Sequence, residues 1–189
     1  MKQFPIIIAL LCTMQLSAQQ IAKGYIYGDD NNNGKKDRKE KGIANVAVSN
    51  GSDVVLTDSE GKYNLPVTDN SIIFVIKPSG HQFSLNEYNF PKSYYIHKPQ
   101  GSPVLTYSGS APTGEMPKSV DFGLIKTEEP ENFTSYIFGD SQAYSEQEIE
   151  YFTKGIVNEA NKRKGISFGI TLGDLVGDNL TLHSSYQKA

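Results

Sequence analysis

The pattern of apolar residues changes once along the chain, at a charged and proline-interrupted segment, residues 126–131. Ahead of it, residues 22–126 hold short runs of β-branched and aromatic residues between turns rich in Gly, Asn and Asp. Such runs are typical of antiparallel strands. Behind it, residues 132–189 hold two longer apolar runs with a helical periodicity between them. The sequence therefore predicts two units of different fold joined by a linker.

The first unit is predicted to be an all-β sandwich, because several strands separated by turns and without helical periodicity favour that architecture. Pro, Gly, Ser and Tyr are frequent in residues 78–117, so this stretch predicts no definite element. The predicted strands are residues 24–27, 46–48, 54–57, 63–67, 72–76 and 120–125.

The second unit is predicted to be a βαβ unit with a right-handed crossover. Residues 134–138 and 166–172 read as buried strands, and residues 145–164 read as the helix between them. Ser145 and Glu148 have the spacing of a capping box, and Gly165 follows the last helical residue.

Composition excludes several classes of protein. Apolar residues make up 38% of the chain, enough for a core, and this excludes a disordered polymer. The chain has a net charge of −3, so it lacks the excess of basic residues expected of a general nucleic-acid binder. One cysteine excludes a disulfide scaffold.

The first 18 residues have the features of a signal peptide. A short basic start is followed by an apolar run at residues 4–11 and by small residues that end at Ala18. The run is too short to span a bilayer. We therefore expect cleavage near Ala18 and a periplasmic or extracellular mature chain without a transmembrane segment.

Residues 29–40 match the calcium-loop pattern D-x-[DN]-x-[DN]-G-x5-E without a mismatch. Calcium prefers oxygen ligands at alternate positions, a glycine at the sharp turn and a distant carboxylate. Strands are predicted on both sides, so the loop would be a structural element between strands, and a solvated Asn/Asp-rich turn remains the alternative. The candidate ligands are Asp29, Asn31, Asn33, Lys35, Asp37 and Glu40, of which the Lys35 side chain is expected in solvent.

Two glycine–aspartate corners follow the predicted strands of the second unit, at Asp140 and Asp174. Neighbouring parallel strands present their carboxyl ends at one edge of a sheet, where ligands bind. Two carboxylates at this edge would repel each other unless a cation lay between them. The pair predicts a dinuclear metal site, and the alternative is that each Asp caps its own turn.

These corners resemble the first two motifs of calcineurin-like metallophosphoesterases. The matching stretches are Gly139-Asp140-Ser141-Gln142 and Gly173-Asp174-Leu175-Val176-Gly177-Asp178-Asn179. The preceding unit, with its Gly24-Tyr25-Ile26-Tyr27 opening, resembles the N-terminal domain of exported bacterial members of that family. Its calcium-type loop and Gly42-Ile43-Ala44-Asn45-Val46-Ala47-Val48 resemble the B-type domains of serine-aspartate-repeat and collagen-binding surface proteins, which implies a transthyretin/B-type-like fold.

The phosphoesterase resemblance implies that Asp140 binds one metal, that Asp174 bridges two, and that Gln142 takes the place of the usual His. The metals would be divalent and of the Mn, Fe or Zn type. Metal-activated hydroxide would hydrolyse a phosphate mono- or diester, with a downstream His as general acid. The family's later motifs do not occur before Ala189. We therefore expect an incomplete catalytic domain at residues 132–189 that has no catalytic residue of its own and is inactive alone.

Two further functions remain open. The chain could be a calcium-stabilised extracellular binding or adhesion module without catalysis. It could also be a transthyretin-like carbohydrate-binding module, although its aromatic residues are more often found in packing than as sugar platforms, and they could equally form the surface on which the catalytic domain docks. These aromatic residues are Phe83, Tyr88, Phe90, Tyr94, Tyr95 and Tyr107.

Overall fold

The computed structural model describes residues 20–189. The predicted signal peptide lies outside the described residues. Within residues 20–189, no helix has both the length and the apolar character needed to cross a membrane.

The first part of the chain forms two four-stranded sheets, which confirms the prediction of a β-rich first unit. One sheet has the order β4-β1-β8-β6, and the other has the order β3-β2-β5-β7. The strands are β1 (Gln20–Gly28), β2 (Ala47–Ser49), β3 (Val54–Leu56), β4 (Lys62–Val67), β5 (Ser71–Ile76), β6 (His81–Phe83), β7 (Tyr94–His97) and β8 (Phe122–Lys126).

The pairing of β1 with β8 is parallel, whereas the other pairings in these two sheets are antiparallel. The expectation of antiparallel strands is therefore wrong for this pair. After β7 in the second sheet, the chain returns to the first sheet, where β8 lies beside β1 and runs in the same direction. Two strands that the sequence left unassigned, β6 and β7, lie in the excursion before this return.

A single core fills the space between the two sheets. Burial alternates along β4 and β5, as expected for strands with one face covered. Each fully buried aliphatic side chain contributes about 1.5–3 kcal/mol by leaving water. The buried side chains are Ala22, Ile26, Val46, Val48, Tyr63, Leu65, Val67, Ile73, Val75, Val120, Phe122 and Leu124.

The second part is a pair of parallel strands with a helical segment between them in sequence. The strands are β9 (Thr134–Phe138) and β10 (Ile166–Thr171). The helical residues are α1 (Glu146–Phe152), a π-helical turn (Thr153–Val157) and α2 (Asn158–Asn161). A 3₁₀ turn (Leu180–Leu182) and α3 (His183–Lys188) follow β10.

The predicted helix is shorter than expected and is interrupted. The Ser145 side chain accepts a hydrogen bond from the Glu148 N–H at 3.2 Å, so it caps α1 as predicted. The π-helical turn contains Gly155, which lowers helix propensity, and Thr153, whose hydroxyl donates to the Ile149 carbonyl at 2.7 Å. This turn shifts the helical register, and Ile156 consequently lies exposed and not on the buried face.

The expectation that β9 and β10 are buried is wrong for both strands. The helical segment covers one face of the pair, where the Tyr136 hydroxyl donates to the Ala160 carbonyl and the Phe138 ring lies 6.0 Å from the Phe152 ring. The opposite face has no cover among residues 20–189. Its exposed apolar side chains are Phe133, Ile137, Phe168, Ile170 and Leu172.

Thr57 joins the segment after the calcium-type loop to the end of β3. Its buried hydroxyl donates to the Ile43 carbonyl at 2.7 Å and accepts from the Val46 N–H at 2.9 Å. A side chain of the same shape without the hydroxyl would leave the buried Val46 N–H and the partly buried Ile43 carbonyl without this partner.

We expect Thr57→Val to lower the free energy of unfolding by about 1–3 kcal/mol, the typical cost of unsatisfied buried polar groups. Urea denaturation measures this change. Thr57→Ser keeps the hydroxyl and is the matched control. A Thr57→Val midpoint equal to that of the original chain would show that the hydroxyl does not hold this segment.

Candidate functional site

The two glycine–aspartate corners lie side by side at one edge of the β9–β10 pair. Phe138 pairs with Thr171 at the carboxyl ends of the parallel strands, so both corners leave the sheet together. Beyond the strands, the Gln142 N–H donates to the Asp174 carbonyl at 2.6 Å. Ala143 and Val176 then form an isolated parallel bridge. The corners that the sequence predicted to be neighbours are therefore in backbone contact.

Two of the three predicted metal ligands have a strained backbone. Gln142 and Asp174 have φ angles of 32° and 45°, in the left-handed region that non-glycine residues rarely adopt. Such a conformation costs about 1–3 kcal/mol per residue and is concentrated at functional sites. Packing next to the corners offsets this cost through a small buried cluster of Ala143, Ile149, Val176 and Leu182.

The side chains of Asp140, Gln142 and Asp174 are exposed. Two carboxylates and one carboxamide offer hard oxygen donors, which suit manganese or magnesium better than zinc. Within residues 20–189, no group of three or more His, Cys, Asp or Glu side chains is arranged to hold a metal ion. These three residues are thus compatible with part of a metal site, and a complete site would need further donors.

Three contacts around the corners had no clear signal in the sequence. The Ser141 and Tyr186 hydroxyls lie 2.7 Å apart, which ties α3 to the first corner. The Tyr144 ring covers Gly177 so closely that a Cβ there would lie 2.4 Å from two ring carbons. The Tyr107 hydroxyl donates to the Asp178 carbonyl at 2.8 Å, so a loop of the first part reaches the second corner.

The calcium-type loop is closed by its own carboxylates. Asp29 is 1% exposed, and its two carboxylate oxygens accept from the N–H groups of Asn33 and Gly34 at 3.0 and 2.9 Å. Glu40 is 8% exposed, and its oxygens accept from the N–H groups of Asp30 and Asp37 at 3.2 and 2.8 Å. The first and last predicted ligands therefore both point into the loop.

The remaining predicted ligands are exposed and bind one another. The Asp37 carboxylate accepts from the amides of Asn31 and Asn33 at 2.8 and 2.9 Å. The Asn33 side chain also accepts from the Lys35 N–H at 2.8 Å, while the Lys35 side chain is exposed as expected. The structure therefore brings all six predicted residues into one loop, where any calcium site would rely on amide and backbone oxygens besides the three carboxylates.

The negative charge of this loop acts on a neighbouring tyrosine. Burial, followed by the charges of Asp29, Glu40, Asp121 and Asp37, raises the pKa of Tyr27 to about 12. Tyr27 therefore stays neutral even at the alkaline pH at which an ordinary tyrosine ionises.

Comparisons with known proteins place one match within the first part of the chain. Residues 30–107, less than half of the chain, match the family model described as N terminal of calcineurin-like phosphoesterase. Colossin-A of Dictyostelium discoideum is 38% identical over 65 residues, which are 33% of this chain and 1% of that protein. The major plantain pollen allergen Pla l 1, known from a crystal structure, has 16% sequence identity to this chain. The structural match covers 61% of this chain and 100% of the allergen chain, with a TM-score of 0.37. The family match supports a phosphoesterase relationship, in which residues 30–107 are similar to the N-terminal domain of calcineurin-like phosphoesterases.

Proposed function

We propose that this chain is the N-terminal part of an exported, metal-dependent phosphoesterase. In this proposal the β9–helix–β10 arrangement is the first βαβ unit of its α/β catalytic domain. The observation that carries the proposal is the backbone contact between Gln142 and Asp174 at the shared sheet edge, with both residues in the left-handed region. The match of residues 30–107 to the N-terminal domain of calcineurin-like phosphoesterases supports the same conclusion.

Asp140, Gln142 and Asp174 would hold two divalent cations of the Mn, Fe or Zn type, and the oxygen donor of Gln142 favours manganese over zinc in the first site. When bound, such cations supply an activated water as nucleophile and neutralise charge on the phosphoryl oxygens. The chain's own contribution is positional, because the hydrogen bond from the Gln142 N–H fixes the backbone of Asp174. A phosphate mono- or diester would bind at this edge, and the general acid would come from outside the described residues.

Substitution of the bridging aspartate tests this proposal in the full-length parent. We expect Asp174→Asn to lower turnover of a phosphate ester by more than about tenfold, because a bridging ligand of reduced charge weakens both metal sites. Gln142→His should keep activity and tighten the first metal. The measurements are turnover with added manganese and metal content by elemental analysis.

Glu150→Gln is the control for that experiment, since Glu150 is an exposed residue of α1 paired with Lys154. If Asp174→Asn retained both its metal content and its turnover, Asp174 would be a turn-capping residue and the dinuclear site would be refuted. The 189-residue chain itself should not hydrolyse a chromogenic phosphodiester, because three oxygen donors are too few for two metals.

Export is the second part of the proposal and rests on the pattern of the first 18 residues. Mass spectrometry of the periplasmic or secreted product should give an N-terminus at Gln19. Recovery of a soluble cytoplasmic product that retains Met1 would contradict it.

A second candidate function is a calcium-stabilised extracellular binding module. The observation that favours it is the pair of buried carboxylates, Asp29 and Glu40, for which no salt bridge occurs within residues 20–189. Buried charges are normally paired or bind a metal. We propose that calcium binds at Asp29, Asn31, Asn33, Lys35, Asp37 and Glu40.

Calcium should then raise the melting temperature of the chain. A ligand at a hundredfold excess over its dissociation constant stabilises the folded state by about 2.7 kcal/mol. Glu40→Gln removes the charge and keeps one of the two oxygens that accept from the N–H groups of Asp30 and Asp37, so it should abolish the rise. Differential scanning calorimetry in millimolar calcium and in chelator measures both effects.

The control is Glu60→Gln, which removes an exposed carboxylate outside the loop that pairs with Lys62. Its response to calcium should equal that of the original chain. Identical melting curves in calcium and in chelator for the original chain would identify residues 29–40 as a solvated turn.

A further inference from the structure

A cleft of about 1040 Å³ lies on the first part of the chain, bordered on one side by the beginning of β10. Its volume is at the upper end of the range for small-molecule sites. Gln82, Tyr88, Asn89 and Phe90 line it from the first part, and Phe168 lines it from β10. Aromatic and amide-bearing residues therefore border the same space.

The aromatic side of the cleft is held in place by a side-chain hydrogen-bond network. The Asn86 side-chain carbonyl accepts from the N–H groups of Tyr88 and Phe90, both at 2.9 Å. The Asn86 N–H donates to the Phe90 carbonyl at 2.9 Å, which closes the turn. Tyr88 and Phe90 are nevertheless 40% and 50% exposed. A fixed turn that presents two exposed rings is preorganised for a ligand, because little further ordering is needed on binding.

The cleft offers no free charge to a ligand. Lys77 is the one charged residue among the residues that line it. Its ammonium group donates to Glu129 at 2.5 Å, and the Ser79 hydroxyl donates to the same carboxylate at 2.6 Å. The hydrogen bonds from Lys77 and then from Ser79 lower the pKa of Glu129 to about 2. Lys77 and Glu129 therefore neutralise each other, which disfavours an anionic or a cationic ligand.

We propose that this cleft binds a neutral oligosaccharide. Sugar rings have apolar C–H faces that pack on aromatic rings such as those of Tyr88 and Phe90. Their hydroxyls need donors and acceptors, and four polar residues that can provide both line the cleft: Gln82, Ser84, Asn89 and Ser167. A purely apolar ligand would leave these polar groups unpaired.

This site is separate from the candidate metal centre. The cleft uses Phe168 and its neighbours in the amino-terminal half of β10, whereas Asp174 follows the carboxyl end of that strand. From Phe168 to the end of β10 at Thr171 the strand rises by about 10 Å, at about 3.3 Å per residue, and Asp174 lies beyond that end. Sugar binding would therefore anchor the protein to a glycan surface independently of its phosphoesterase activity.

The test uses the 189-residue chain in millimolar calcium with maltotetraose, cellotetraose and chitotetraose as probes. Saturation-transfer NMR detects binding, and isothermal titration calorimetry gives the affinity. We expect at least one of the three to bind and an anionic heparin tetrasaccharide not to bind. Tyr88→Ala and Phe90→Ala should each weaken binding by about tenfold, the upper end of what one aromatic contact contributes.

Tyr151→Ala is the matched control, since Tyr151 is an exposed aromatic residue of α1 that does not line the cleft. Circular dichroism verifies that each variant is folded. The proposal fails if no neutral tetrasaccharide binds the folded chain, if the Tyr88→Ala/Phe90→Ala double variant binds as tightly as the original, or if the heparin tetrasaccharide binds equally well. Binding of a neutral detergent without binding of any sugar would identify a lipid-type occupant and would also refute it.

Discussion

The carboxyl-terminal half of β1 is the central strand segment of the first part of the protein, because three other segments hydrogen-bond to it. The Ile26 N–H donates to the Gly61 carbonyl, and the Ile26 carbonyl accepts from Ile43. The Gly28 N–H donates to Lys41, and β8 pairs alongside in parallel. These segments approach so closely that a Cβ on Gly42 would lie 1.9 Å from the Glu60 carbonyl oxygen.

β1 also determines the position of the calcium-type loop, residues 29–40, which begins directly after it. The Asp29 N–H donates to the Leu124 carbonyl, which fixes the first loop residue against β8. Gly123 is needed beside it, because a Cβ at that position would lie 2.9 Å from the Asp29 Cβ. Both ends of the loop are thus attached to the sheet, and the carboxylates of Asp29 and Glu40 are consequently buried. In the proposed calcium site, folding of the sandwich would already have ordered these ligands, so calcium binding would lose little further conformational entropy.

Much of the first part could be predicted from the sequence, because its strands are β-branched runs between strong turn signals. The strands β6 and β7 could not, since they are short and lie among prolines and polar residues. The parallel pairing of β1 with β8 depends on a contact between distant segments, which local patterns do not encode. The corners at Asp140 and Asp174 were located from the motif spacing. The left-handed backbone of Gln142 and the contact between Tyr107 and Asp178 depend on packing, and no local signal indicated them.

The sequence predicts that β9 and β10 are buried, but both strands are exposed in the structure. An apolar run shows that a strand prefers a covered environment, but it does not show which element provides the cover. Parallel sheets are normally covered on both faces, and two strands alone bury too little to be stable. Under the proposed function, further elements of the catalytic domain pack on the part of the uncovered face that carries Ile137, Ile170 and Leu172, next to the corners. Phe168, nearer the amino-terminal end of β10, would stay open to the cleft. Those elements would also supply the missing metal donors, because the corners lie at the edge of the same two strands. Completion of the sheet and completion of the metal site would then be one structural event, and an isolated β9–β10 pair would lack both the core and the activity.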